Sequence, residues 1–257
     1  MNIIAIVSAK GGVGKTTFSA GLGIGLARSG VQTVAIDLDP QDALGLHYGH
    51  YESSDRGLAQ ACLNGVDWRS SLLNINQNCT LLPYGRVQES TREAFEQLLR
   101  DRPTLLRDHI LSLNLPDDAV VILDTPPGPS VYLTQALSAC NTAVIVVLAD
   151  AASYATLPMM AGLLQRYCLN RPGFSDYSYL INQVDQSRQL NSDVAHVMRM
   201  QFGARALTLV HQDQAIPEAL ACNQFVGDYD PMSRAASDLS AVCQQLMGVP
   251  VDSGNLR

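Results

Sequence analysis

The chain has 257 residues, a formal charge of −7 and 47% apolar side chains. That length and apolar content suit one α/β unit with a fully covered sheet, and the acidic balance argues against a surface built to neutralise nucleic-acid phosphates. Six cysteines stand at 62, 79, 140, 168, 222 and 243 with no C-x-x-C pair, which argues against paired-thiol metal or redox chemistry and for buried free thiols.

The first element is an apolar strand, Ile3-Ile4-Ala5-Ile6-Val7. It leads into Ser8-Ala9-Lys10-Gly11-Gly12-Val13-Gly14-Lys15-Thr16-Thr17 and then a helical pattern from Thr16 to about Arg28. Strand, glycine-rich loop and helix in that order are the context of a phosphate-binding P-loop. Backbone N–H groups of Gly11 to Thr16 would point at phosphates, helped by the helix dipole. Lys15 would reach the β- and γ-phosphates, Thr16 would bind Mg²⁺, and Thr17 would hold an α-phosphate oxygen. Ala9 stands where the usual pattern has its first glycine. Lys10 and Lys15 are the only lysines among seventeen basic residues. A slim ammonium fits where a guanidinium fork would not, so both lysines are expected to serve one phosphate chain.

Further along, the strand Thr33–Ile36 runs into Asp37-Leu38-Asp39-Pro40-Gln41. A strand at Leu81-Leu82-Pro83 precedes a long helical stretch, Thr91–Leu113, carrying Arg100, Arg102 and Arg107. The strand Ala119–Leu123 ends in Asp124-Thr125-Pro126-Pro127-Gly128. Helices are expected at Val131–Ser138, Ser153–Tyr167, Ser192–Phe202 and Met232–Met247. Between them lie strands at Ala143–Leu148, at Tyr177-Ser178-Tyr179-Leu180-Ile181 ending in Asn182, and at Ala206–Leu209. This β-α alternation predicts a single doubly wound, mostly parallel sheet of about seven or eight strands with helices on both faces. The domain is expected to span 1–248, followed by a flexible polar tail at 249–257.

The run Lys10-Gly-Gly-Val-Gly-Lys15-Thr-Thr resembles the deviant Walker A loop of the MinD/ParA class of P-loop ATPases. The early lysine, here Lys10, marks that class; the resemblance implies that it crosses an ATP-bridged homodimer to the partner subunit's nucleotide. ATP and Mg²⁺ are the implied ligands. Asp39 then matches the carboxylate that orients the attacking water, Asp37 an acid near the metal, and Asp124 the carboxylate that holds Mg²⁺ through water. Asn182 resembles the residue that contacts adenine; a carboxamide both donates and accepts. The segment His211-Gln212-Asp213-Gln214-Ala215 resembles the loop that covers the base, placing Asp213 at the nucleotide.

Within the class, Leu63–Arg69, Leu81–Gly85, His211–Ala215 and Phe225–Tyr229 resemble the MinD-like ATPases encoded with bacterial cellulose synthase, the BcsQ or YhjQ family. That resemblance implies slow hydrolysis driving a dimerisation switch. It also implies cellulose-secretion accessory proteins as partners, and a cytoplasmic protein recruited to the inner membrane or a cell pole through them. Rival readings within the class are a DNA-binding partition ATPase, a membrane-docking division-site or flagellar-number ATPase, and a metabolic enzyme. The first conflicts with the lack of lysine outside the loop. The second wants a basic amphipathic C-terminal helix, and no Lys or Arg follows Arg234 until the final Arg257. Neither strong DNA binding nor direct membrane insertion is therefore expected. Trp68 is read either as an anchor under a loop or as a partner contact.

Overall fold

A computed structural model describes residues 1–50 and 56–248; the tail expected at 249–257 lies outside the described residues. The apolar runs become strands β1 (Asn2–Val7), β2 (Thr33–Asp37), β3 (Leu73–Asn76), β4 (Cys79–Leu82), β5 (Val120–Asp124), β6 (Thr142–Leu148) and β7 (Asp176–Asn182). They form one seven-stranded sheet in the order β3-β4-β2-β5-β1-β6-β7, parallel throughout except for β3 against β4. Alternation along β1 explains the continuous apolar sequence. Ile3, Ala5 and Val7 enter the core on one face, and Ile4 and Ile6 enter the core on the other.

Eleven α-helices lie among the described residues: α1 (Lys15–Arg28), α2 (Leu58–Asn64), α3 (Glu89–Asp101), α4 (Leu105–Ser112), α5 (Val131–Ala139), α6 (Ala151–Ala155), α7 (Leu157–Tyr167), α8 (Gln189–Phe202), α9 (Ala215–Ala221), α10 (Val226–Tyr229) and α11 (Arg234–Leu246). Helices α1 and α11 cover one sheet face, and α3, α4, α5 and α7 cover the other. Chain order runs outward from β1 on one side to β2, and on the other to β6 and β7. Such a reversal opens a crevice at the carboxyl ends of the strands, where ligands of open α/β sheets bind.

Five expectations change. The helix expected over Ser153–Tyr167 is two, α6 and α7, parted at Thr156 with Pro158 in the first turn of α7, and Cys222 is exposed where six buried thiols were expected. The helix expected over Thr91–Leu113 is two helices, α3 and α4. Pro103 has no N–H and forces its predecessor out of helical geometry, and Arg102 accordingly sits at φ −126°, ψ 83°. Arg100 and Arg107 thus fall on different helices. The strand expected at Ala206–Leu209 is an isolated bridge, Tyr179 with Ala206. Leu207 and Val210 still donate to Tyr179 and Ile181 at 2.9 and 3.1 Å, so the segment lies along β7 without becoming an eighth strand. The antiparallel edge strand β3 was not expected. Trp68 proves to be an anchor: it is 1% exposed and stacks on His109 at 4.8 Å.

Candidate functional site

The loop after β1 turns into α1 through Gly14, whose φ of 84° is left-handed. A Cβ there would also collide with the Asn182 carboxamide. No side chain caps α1, so its first N–H groups stay open toward a ligand. Val13 is 1% exposed and packs in the core, so only its backbone faces the site. Gly11 lies against Pro127, which brings the segment after β5 onto the loop. Lys15 is 6% exposed, and burial lowers its pKa while Asp124 and Asp39 oppose the shift. Lys10 is half-exposed and pairs with Asp150 at 3.2 Å; Asp150 also caps α6 through the Ser153 amide.

Beneath Lys15, β2 and β5 end side by side with Asp37 in register with Asp124. Both carboxyls are fully buried. Desolvation raises the Asp124 pKa to about 6, with the Ser19 and Thr16 hydroxyls and Lys15 holding it from rising further. Its Oδ1 accepts from Ser19 at 2.7 Å, while Oδ2 is buried with no hydrogen-bond partner. Desolvation also raises the Asp37 pKa, and the Asp124 charge adds to it. The two Asp37 oxygens accept from the amides of Asp39 and Leu44, each at 2.9 Å. Asp37 thereby braces the turn that carries Asp39. Asp39 itself is partly exposed and accepts from the Gln41 amide at 2.9 Å.

The loop and Asp39 open onto a cleft of about 750 Å³ lined by Gly11, Gly12, Lys15, Thr16, Thr17 and Asp39 among others. A smaller pocket of about 230 Å³ adjoins it, with Gly14, Thr17, Asn182 and Asp213 in its wall. Asn182 donates Nδ2 to the Val13 carbonyl at 2.8 Å, which leaves Oδ1 to accept from a ligand. Asp213 accepts from the amides of Ala215 and Ala235, each at 2.9 Å, and so ties the loop over this pocket to α9 and α11. His211 in the same loop is fixed by Asp238, 2.8 Å from its Nδ1.

The geometry therefore gathers Gly11 to Thr17, Asp39, Asp124 and Asn182 around one crevice. Lys10 lies in the same loop but turns its ammonium to Asp150 and lines neither cavity, and Asp37 and Asp213 act on the crevice through backbone. Sequence reasoning missed several wall residues. Arg92 reaches the cleft from α3, paired to Glu89 and Glu96, and the Tyr132 hydroxyl lies 3.3 Å from Glu96. His47 is another, and burial pushes its pKa down to about 4. Gln183 touches both cavities. The only sequence signal for these was polar residues within helices or at a strand end, which is common on any surface.

A loop of this form between a central parallel strand and a helix, facing two strand-end aspartates, defines the MinD/ParA class of P-loop ATPases. A family model described as cellulose biosynthesis protein BcsQ matches residues 1–247, and the chain belongs to that family. It is 27% identical over 244 residues to the cellulose biosynthesis protein BcsQ of Escherichia coli K12, covering 93% of this chain and 91% of that one. It is 28% identical to the chromosome-partitioning ATPase Soj of Thermus thermophilus over 95% of this chain and 94% of that one. Among solved structures, the septum site-determining protein MinD of Pyrococcus horikoshii, complexed with Mg-ADP, shares the fold. Its TM-score is 0.76 at 20% identity, with 95% of each chain covered.

Proposed function

We propose that this protein is an ATP-dependent dimerisation switch that organises a cellulose-secretion complex through partner proteins. The observation that carries the nucleotide reading is a buried Lys15 set within electrostatic reach of a buried Asp124 whose Oδ2 lacks a hydrogen-bond partner. A buried, unpaired carboxylate oxygen is costly unless a cation reaches it. The Thr16 hydroxyl stands beside that carboxyl, so hard oxygen donors fit Mg²⁺ held by a few protein groups, water and phosphates. Bound there, the metal would neutralise phosphate charge.

The chain's own groups divide the remaining work. N–H groups of Gly11 to Thr17 and the Lys15 ammonium hold the phosphates, and the Asn182 Oδ1 accepts from the adenine amine. Asp213 keeps the loop over the base in place. Asp37 fixes the turn on which Asp39 orients water for slow hydrolysis. Lys10 leaves Asp150 and enters the opposing subunit's site, so two nucleotides bridge the homodimer. Loss of the γ-phosphate then releases both aspartate-bearing segments and loosens the dimer. The output is a partner surface present in the ATP dimer, and recruitment to the inner membrane or pole runs through those partners.

The direct test is a trio of variants. Lys15→Ala should lose most ATP affinity by titration; tight binding retained would remove the phosphate-loop assignment. Lys10→Ala should bind ATP yet stay monomeric, and normal dimers would refute the crossing lysine. Asp39→Ala should dimerise without turnover, whereas undiminished phosphate release would assign water positioning elsewhere.

A further inference from the structure

Two adjacent carboxamides at the end of β7 reach the same loop. Asn182 Nδ2 donates to the Val13 carbonyl at 2.8 Å, and Gln183 Nε2 donates to the Gly12 carbonyl at 3.1 Å. Neighbouring side chains of an extended strand point to opposite faces. Here they point the same way because Gln183 sits at φ 55°, in the left-handed region that a glutamine rarely adopts. The kink is confined to one residue, since the Val184 amide donates to the Val210 carbonyl at 3.0 Å.

The carbonyl and N–H of a trans peptide point in opposite directions. Holding the Gly12 carbonyl toward β7 therefore aims the Val13 N–H away from β7. Holding the Val13 carbonyl does the same for the Gly14 N–H. Gly12 and Gly14 have φ values of 72° and 84°, and glycine-flanked peptides rotate freely unless something pins them. Gln183 also lines both the larger cleft and the smaller pocket, so it stands where base and phosphate ends of a ligand meet.

We propose that Gln183 is a positioning residue for nucleotide phosphates: with Asn182 it clips two successive loop carbonyls and presets the loop's N–H groups for the anion. The inference rests on the nucleotide reading above. Strain held at one residue of a functional site is the expected mark of such pre-organisation.

The test titrates ATP, ADP and adenosine against the wild-type chain, Gln183→Met and Gln183→Gly. Methionine keeps the length without the donor, and glycine also removes the left-handed strain. Both variants should lose about fivefold to tenfold in ATP and ADP affinity, the worth of one hydrogen bond. Adenosine binding should be unchanged, and the melting temperature of Gln183→Gly should equal or exceed that of the wild type. Unchanged ATP and ADP affinities would overturn the proposal, as would an equal loss for adenosine, which would mark general loosening. If the wild-type chain and Lys15→Ala both fail to bind ATP, the nucleotide reading itself falls.

Discussion

Asp124 carries an unusual burden for a single carboxyl. Its pKa is raised to about 6 by burial, so ionising it costs more in the folded chain than in the unfolded one. A carboxyl whose folded pKa is raised supports the fold below its unfolded pKa, and that support is lost as pH rises through the folded value. Without nucleotide, Asp124→Asn should therefore be more stable than the wild type above about pH 6, by about 2–3 kcal/mol. The gap should close toward pH 4 in denaturant titrations; a gap independent of pH would mean that the wild-type carboxyl does not ionise there. At this scale the motif residues were legible because their chemistry is tied to spacing: Lys15 and Asp39 line the cleft and Asp124 is buried near Lys15, while Lys10 turns to Asp150. Gln183 was not legible, since its reach depends on a backbone kink that no residue type announces. Nor was Arg92, which enters the cleft only because α3 packs where it does. The backbone duties of Asp37 and Asp213 likewise emerge from turns rather than from composition.

Among the elements, the buried parallel strands read clearly because both faces are covered and the apolar runs are unbroken. The short strand β3 has a half-exposed alternating pattern over Leu73–Asn76, too brief to stand out from a loop. The α3–α4 break was written in Pro103, but the surrounding helical pattern masked it. Packing at two connections sets stability outside the lining of the crevice. Trp68 fills the space between α2 and α4, buried against His109. Trp68→Ala should cost about 3–5 kcal/mol in chemical denaturation, and a loss under about 1 kcal/mol would mean that the site collapses around the gap. Gly85 has φ 85° and lies so near Gly57 that a Cβ would sit 2.9 Å from its Cα. Gly85→Ala should destabilise by at least about 1–3 kcal/mol, because both the backbone conformation and the contact oppose a side chain.

The whole molecule joins an acidic chain to two lysines concentrated in one loop. No helix among the described residues is long and apolar enough to cross a membrane. The formal charge of −7 and the pairing of Arg92 and Arg100 with carboxylates on α3 leave little free positive surface there. Mobility shifts should therefore give no ATP-dependent DNA complex at about 0.1 M salt. A retained complex would favour a partition role. The central claim is that nucleotide state sets assembly state, with Lys10 exchanging Asp150 for the opposing subunit's nucleotide. Its most direct measurement is solution mass by light scattering in Mg-ATP and then in Mg-ADP. The account predicts a doubling in Mg-ATP that reverses in Mg-ADP and is abolished by Lys10→Ala. A mass that ignores the nucleotide would contradict it.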